Sequence, residues 1–261
     1  MKHSTGQTDL LVRVLHVGEM ASCCYLVGMK GGEGMIVDAG GEPERIVQSV
    51  NDTGIIPRLI VLTHGHADHI AALDEVRAAF PQAECCIHAD DAAMLDRPSL
   101  NLSLFLGRGF KRKPAARLLR HGDALEFGRT QGSPLREKAE HAKAEHVKAE
   151  HVKAEHVKAE HAKAEHVKAE HANPIRVHVI HVPGHTPGGI CLHIPEAKVV
   201  FTGDVLFAGG IGRTDFPGGD TDLLLTGIRE KLIVLPPETV VYPGHGPSST
   251  IGEERDGNPF L

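Results

Sequence analysis

The sequence predicts a mixed α/β fold in which two β-sheets form a sandwich covered by helices. Short apolar runs rich in β-branched residues occur in both halves of the 261-residue chain and indicate strands. Segments with helical spacing of their apolar residues lie between these runs. The run at 59–62 is apolar at every position, as expected of a strand that is buried on both faces.

The N-terminal half is predicted to contain five strands and three helices. The strands are 10–17, 24–27, 35–37, 59–62 and 85–87, and the helices are 43–50, 68–80 and 89–95. The helix over 68–80 places Ile70, Leu73 and Val76 on one side. Residues 98–114 have no clear period, so we expect a long surface loop near the functional site.

The C-terminal half is predicted to contain five more strands and one helix. The strands are 124–127, 175–182, 190–194, 198–201 and 239–242, and the helix is 223–235. We expect all of these elements to form one domain over 1–261, interrupted by an insert.

The insert at 137–171 is seven tandem copies of a pentapeptide. Its Ala, Glu and Lys favour helix, but a five-residue period spreads like residues around the axis and leaves no apolar stripe. We expect the strands on either side of the insert, 124–127 and 175–182, to be adjacent. A straight helix would be roughly 50 Å long, whereas the segments that connect it to these strands extend to at most roughly 40 Å. We therefore predict a broken helix, a helical hairpin or partial disorder. The repeat histidines lie on different faces, which disfavours chelation of one ion.

The composition excludes several classes of function. The net charge of -6 and the lack of a large basic cluster argue against a nucleic-acid partner. No apolar stretch of about 18 residues is present, and residues 1–9 lack the apolar region of a signal peptide. We therefore expect no membrane partner. Five cysteines, four of them in adjacent pairs within apolar runs, indicate reduced core thiols and a cytoplasmic protein. The sequence leaves the oligomeric state open.

A cluster of metal-ligand residues follows the strand at 59–62. His64, His66, Asp68 and His69 fall within six positions, and a structural role does not readily explain four such residues at a strand end. His64 and His66 are two apart on an irregular segment, so both can face one cation. Asp68 and His69 begin the next predicted helix and can turn toward a second cation.

Three further candidate ligands follow apolar runs and sharp turns. They are His185, Asp204 and His245. If the runs are neighbouring strands, the seven residues meet at one sheet edge and hold two divalent cations, most simply Zn²⁺, with iron or manganese as alternatives. Such a pair lowers the pKa of a shared water to about 7, which supplies hydroxide as the nucleophile. Asp204 can bridge the two ions, and Asp68 can orient the hydroxide as a catalytic residue.

At these residues the chain resembles the metallo-β-lactamase superfamily, whose H-x-H-x-D-H signature is met by residues 64–69. The resemblance implies a four-layer αββα sandwich. It also implies the following ligand sets: His64, His66 and His185 for one zinc ion, Asp68, His69 and His245 for the other, and Asp204 as the bridge.

Within that superfamily the chain is similar to the short glyoxalase II-like hydrolases. The matching segments are 206–207, 212–220 and 258–261. The resemblance implies hydrolysis of a small-molecule thioester such as S-lactoylglutathione, and it makes Arg213 a candidate substrate-binding residue. An ion pair with a purely structural role is the alternative for Arg213.

Two other functions remain as alternatives. An iron-dependent persulfide dioxygenase shares the histidine cluster, although Pro-Gly-His-Gly at 243–246 is more typical of the two-metal hydrolases. A non-catalytic binding or scaffold protein would act through the repeat. The complete ligand set argues against the second alternative, because an idle site does not require seven ligands.

Overall fold

A computed structural model describes residues 10–128 and 174–261. The pentapeptide insert at 137–171, and with it the prediction of its conformation, lies outside the described residues. The strands that flank the insert do pair, with Phe127 opposite Ile175, as the sequence predicts. Within the described ranges, no helix is long and apolar enough to cross a membrane.

Two six-stranded sheets form the centre of the molecule. The first sheet has the order β1-β2-β3-β4-β5-β6, and its strands are Leu11–Val17, Ser22–Gly28, Glu33–Val37, Ile56–Val61, Glu84–His88 and Arg117–Leu119. The second sheet has the order β14-β13-β10-β9-β8-β7. Its strands in chain order are β7 (Ala124–Phe127), β8 (Ile175–His181), β9 (Ile190–Ile194), β10 (Val199–Gly203), β13 (Val240–Pro243) and β14 (Ser249–Thr250). A small hairpin is formed by β11 (Leu206–Phe207) and β12 (Gly210–Ile211).

Helices cover the outer face of each sheet. The helices are α1 (Pro43–Thr53), α2 (Ala67–Ile70), α3 (Leu73–Ala79), α4 (Thr221–Gly227) and α5 (Ile251–Gly257), with a 3₁₀ helix at Ala89–Leu95 and a π-helical turn at Ile228–Leu232. The first sheet packs Leu26, Ile36 and Ile60 against Ile46 and Val76 of its helices. The opposite sheet presents Val200 and Val241 to Leu224, Ile228 and Ile251.

A third apolar cluster fills the space between the sheets. Met35 and Val61 of the first sheet meet Phe127, Val177 and Phe201 of the second. The three clusters therefore separate four layers, which confirms the predicted αββα sandwich. All five cysteines are buried and unpaired within these layers, and burial raises the pKa of each thiol.

The structure corrects the sequence predictions in two respects. The single helix predicted over 68–80 is divided at Ala71 and Ala72 into α2 and α3. The apolar period continues across the break, so the sequence pattern does not reveal it. The short strands β6, β11, β12 and β14 were not predicted, since two- and three-residue strands carry too little periodicity, and the seven-residue helix α5 was also not predicted.

Candidate metal centre

The predicted ligands follow strands that end at the same edge of the sandwich. The cluster at 64–69 follows β4, whose neighbour β3 is parallel to it. In the second sheet Asp204 follows β10 and His245 follows β13, which are also parallel to each other. β8 is antiparallel to β9, which is antiparallel to β10, so the loop carrying His185 leaves at this edge too. The topology thus gathers four loops at one place.

Two histidines of the first cluster are fixed by hydrogen bonds on their outer ring nitrogens. His64 Nδ1 lies 3.1 Å from Thr63 Oγ1, and that hydroxyl donates to Asp38 Oδ2 at 2.7 Å. His69 Nδ1 lies 2.9 Å from the same oxygen of Asp38. Because the Thr63 hydroxyl donates its one hydrogen bond to Asp38, it can only accept a hydrogen bond from His64 Nδ1–H. The Nε2 atom of each ring is therefore left to face the cavity.

The remaining histidines bring their nitrogens to the same cavity. His185 Nδ1 lies 2.7 Å from the Arg213 carbonyl oxygen and donates to it, while His185 Nε2 lies 2.9 Å from His66 Nδ1. His245 Nε2 lies 3.0 Å from Asp68 Oδ2. Histidines that bind metals almost always donate their other ring N–H to a protein oxygen or water. His64, His69 and His185 each have that arrangement.

The structure brings all seven predicted side chains together. Their ligand atoms form three overlapping groups within 4.8 Å, namely His64 with His66 and His185, Asp68 with His69 and His245, and His64 with His69 and Asp204. Asp204 Oδ2 lies 3.6 Å from His185 Nε2 and 3.6 Å from His245 Nε2. It therefore sits between the first two groups, where a bridging carboxylate would be required.

The chemistry of these atoms fits divalent cations. His64 Nε2 is buried and has no hydrogen-bond partner among the described residues. A buried polar atom without a partner is unfavourable, and a cation bound to its lone pair would remove that penalty. Imidazole nitrogens and carboxylate oxygens suit zinc and iron. A Cβ added at Gly244 would collide with Asp204 Oδ1 and lie 2.8 Å from His69 Cε1, so a glycine at this position keeps the space beside the ligands open.

Burial and neighbouring charges shift the pKa values of the candidate ligands in opposite directions. Burial, reinforced by the nearby imidazoles, lowers the pKa of His64 well below its usual value. Burial and His185 lower the pKa of His66 to about 3. Burial also acts to lower the pKa of His69. The negative charges of Asp68 and Asp204, together with that of a third carboxylate, outweigh this effect and hold the pKa well above its usual value. The pKa shifts therefore favour the neutral form of His64 and His66 and the protonated form of His69, which lies among the carboxylates.

A cavity of about 320 Å³ opens beside the ligand cluster. Its volume lies at the lower end of the range for ligand pockets, about 300–1,000 Å³. Five candidate ligands line it on one side, together with Arg213 and Phe216. The predicted loop at 98–114 contributes Leu102, Phe105 and Leu106, so its expected position near the site is confirmed. Arg213 is exposed and pairs with Asp215, which satisfies its charge locally.

Two buried aspartates support the centre although the sequence analysis did not single them out as site residues. Asp38 accepts from Thr63 N at 2.8 Å as well as from the side chains already described. Asp91 accepts from Gly65 N, Thr186 Oγ1 and Gly188 N at 3.2, 2.8 and 2.6 Å. Burial raises the pKa of Asp91 to about 6, against the effect of those hydrogen bonds.

The sequence contains a pattern that marks Asp38 but none that marks Asp91. Asp38 follows β3 and precedes two glycines, which is the pattern of strand, acid and turn that marked Asp204, so the sequence could have revealed it. Asp91 lies within a 3₁₀ helix and had no such signal. Its hydrogen bonds connect the His64–His66 loop with the His185 loop, which only the tertiary structure shows.

Comparison with known proteins identifies the family. The family model described as the metallo-beta-lactamase superfamily matches residues 17–245. The chain belongs to the metallo-β-lactamase superfamily. Its similarity to the probable metallo-hydrolase YqgX of Bacillus subtilis is 34% identity over 95% of this chain and 96% of the relative. The hydroxyacylglutathione hydrolase GloC of Haemophilus influenzae is 30% identical over 96% of this chain and 97% of its own length.

Two solved structures show the same fold at similar identity. The BLEG-1 B3 metallo-beta-lactamase has a TM-score of 0.75 and 33% identity over 96% of this chain and 99% of that structure. A di-iron-bound form of TTHA1623 has a TM-score of 0.70 and 30% identity over 96% of this chain and all of that structure. Family membership and the His/Asp cluster together make the chain a metal-dependent hydrolase with a site suited to two metal ions.

Proposed function

We propose that this protein hydrolyses a thioester, such as S-lactoylglutathione, at a centre of two divalent metal ions. The observation that carries the proposal is the convergence of five histidines and two aspartates on one cavity large enough for a small molecule. The similarity to GloC, which is named as a hydroxyacylglutathione hydrolase, supports the choice of a thioester. A thioester also suits this chemistry, because its carbonyl is electrophilic and its thiolate is a good leaving group.

The side chains divide into two ligand sets with one shared carboxylate. His64, His66 and His185 would hold one ion, and Asp68, His69 and His245 would hold the other, with Asp204 between them. When bound, the ions would supply a water of pKa near 7 and polarise the substrate carbonyl.

Asp68 has a second task in this proposal. Its Oδ2 lies 3.0 Å from His245 Nε2 and 3.5 Å from His69 Nε2, while the residue also lines the cavity. An ionised carboxylate only accepts hydrogen bonds, so Asp68 can orient an attacking water by accepting its proton in a hydrogen bond. Burial acts to raise the pKa of Asp68, but His69 and His245 hold it below its usual value, so the group is an acceptor at neutral pH.

Arg213 is the proposed contact for an anionic part of the substrate. It lines the cavity, and its guanidinium lies 4.3 Å from the centre of the Phe216 ring. Its pairing partner Asp215 is exposed, and an exposed ion pair contributes little because water screens its charges. A substrate carboxylate can therefore compete with Asp215 for the guanidinium.

The identity of the ions is a separate part of the proposal. Zinc suits four-coordinate sites built from imidazole and carboxylate, and we propose it as the first choice. The similar TTHA1623 structure contains two irons, which supports iron as the alternative. Elemental analysis of protein purified without added metal distinguishes the two.

Thiol release from S-lactoylglutathione tests the function directly. The full chain is stripped with a chelator, reloaded with Zn²⁺ or Fe²⁺ and assayed for free glutathione. We expect turnover that requires reloading, with kcat/KM at or above about 10⁴ M⁻¹s⁻¹ on a good thioester. Protein that contains two ions per chain but is inert on every thioester tested would exclude the proposal. Oxygen consumption with glutathione persulfide would favour the dioxygenase alternative.

β-Lactam hydrolysis is the second candidate function. It is favoured by the similarity to BLEG-1, which is named as a B3 metallo-beta-lactamase. Both reactions attack a carbonyl, so the same ligand sets would serve either one. Parallel assays with a chromogenic cephalosporin and a thioester measure the ratio of the two kcat/KM values, and we expect the thioester to be the better substrate.

A further inference from the structure

The cavity beside the candidate metal centre has an apolar wall that the hydrolytic chemistry does not require. Its apolar lining residues are Met20, Leu102, Phe105, Leu106, Phe207 and Phe216. Three of them are largely exposed, since Met20 is 55%, Phe105 76% and Leu106 48% accessible. Contiguous exposed apolar side chains are unusual on a protein surface and commonly mark a binding site.

The loop that carries three of these residues is held in place by Asn101. Its side-chain nitrogen donates to the Met94 carbonyl at 2.9 Å, and its side-chain oxygen accepts from Ser103 N at 2.9 Å. Leu102, between Asn101 and Ser103, has φ of 66°, which is unfavourable for a residue with a Cβ. Strained conformations of this kind persist where the surroundings enforce them, often at ligand sites. These contacts fix the part of the wall around Leu102.

Apart from Arg213 and the candidate ligands, the described residues that line the cavity offer no charged partner for the acyl group of a substrate. Among the described residues that line it, Arg213 is the only cation apart from the histidines. Its Nε lies 2.9 Å from Asp215 Oδ1 and its Nη2 lies 2.8 Å from Asp215 Oδ2, so both carboxylate oxygens accept a hydrogen bond from the guanidinium. Near the mouth, Arg108 is likewise paired, with Glu19 at 2.6 Å. An apolar group requires no such partner and would cover Phe105 and Leu106.

We propose that the substrate thioester carries an apolar acyl group, a medium-length aliphatic or an aromatic chain, which lies along this wall. The inference rests on the proposed thioester hydrolysis and specifies its substrate class. Hydrolysis breaks the C–S bond and forms a C–O bond with water, giving the carboxylic acid and the thiol. The apolar chain takes no part in that step and contributes binding only.

A chain-length series tests the proposal. The reloaded full-length protein is assayed with acetyl, butyryl, hexanoyl and octanoyl thioesters of one neutral thiol, N-acetylcysteamine. Full burial of a methylene is worth about a fourfold gain in binding. Because the wall is open to solvent on one side, we expect about a twofold rise in kcat/KM per methylene. Hexanoyl should then exceed acetyl by roughly fifteenfold.

Two variants of neighbouring residues distinguish the contribution of the apolar wall from a general disturbance of the loop. Phe105→Ala should reduce the hexanoyl-to-acetyl ratio by about threefold or more, because it removes an aromatic surface from the wall. Leu104→Ala is the matched control, since Leu104 is 57% accessible in the same loop and does not line the cavity. It should leave the ratio and the acetyl rate unchanged. An equal effect of both variants would contradict the proposal.

An isosteric pair of substrates makes the result independent of any variant. Lactoyl and isobutyryl thioesters differ by a hydroxyl in place of a methyl group, and an apolar wall should favour isobutyryl. Active hydrolysis with a flat chain-length series, or with lactoyl preferred, would overturn the apolar acyl group and leave the proposed function intact. If the protein with two ions hydrolyses none of these thioesters, the proposed function fails and this inference fails with it.

Discussion

Replacing Asp38 by Asn changes a single acceptor oxygen beneath the candidate metal centre. Asp38 Oδ1 accepts from Thr63 N, and Asp38 Oδ2 accepts from Thr63 Oγ1 and from His69 Nδ1. Asn has the same shape, so packing is preserved, but one of its terminal atoms is an amide nitrogen that only donates. The substitution therefore tests hydrogen bonding rather than volume.

Neither orientation of the amide restores the native contacts. With nitrogen in the place of Oδ2, His69 must accept at Nδ1 and carry its proton on Nε2, where it can no longer bind a cation. With nitrogen in the place of Oδ1, the amide N–H points at the backbone N–H of Thr63. Two buried donors then lack an acceptor, which destabilises the fold by about 1–3 kcal/mol. Loss of such a supporting contact typically lowers metal affinity 10–100-fold, equivalent to about 1.4–2.7 kcal/mol.

Competition with a chromophoric chelator measures the affinity of each ion in the variant. We expect one ion to bind 10–100-fold more weakly, while the ion held by His64, His66 and His185 is less affected. Asp123→Asn is the control, because Asp123 also accepts a backbone N–H, from Arg120 at 2.9 Å, but is partly buried and outside the candidate ligand set. Wild-type affinity for both ions in Asp38→Asn would refute the argument that this carboxylate fixes the ring of His69.

The other predictions concern the ligands, their packing and the cavity mouth. His66→Ala should remove one ion per chain and lower kcat by orders of magnitude, as elemental analysis and thiol release would show. Gly244→Ala should reduce turnover at least tenfold by pressing on Asp204, whereas Gly257→Ala meets open space and should not. Arg213→Ala should raise KM for S-lactoylglutathione by up to about tenfold without changing metal content. Because the lowered pKa of His66 makes its protonation costly in the fold, metal-free protein should lose thermal stability as pH falls from 6.5 toward 3.

The convergence of the seven candidate ligands was predictable in part because the segments that carry them follow recognisable strands. The runs before Asp204 and His245 are β-branched and end in Gly203 and Pro243-Gly244, so strand and turn are both visible in the sequence. The sandwich itself followed from the distribution of such runs. The convergence of the four loops depends on the sheet order, which the structure shows and the sequence pattern did not predict.

Other features could not be predicted because they depend on tertiary contacts. The division of the helix at Ala71 leaves the apolar period unbroken, so no local signal marks it. Asp91 connects two loops that are about 120 residues apart in sequence, from Gly65 to Thr186. The apolar wall combines Met20 with Phe105 and Phe216, which come from three separate segments.

The central claim is that two ions share seven side chains from four loops. Anomalous diffraction at the metal absorption edge, from crystals of the reloaded protein, tests it most directly. We predict two peaks about 3.5–4 Å apart, one within about 2.0–2.2 Å of ligand atoms of His64, His66 and His185, and the other within that distance of Asp68, His69 and His245. A single peak, or ions that lie beyond bonding distance of His185 or His245, would contradict the account.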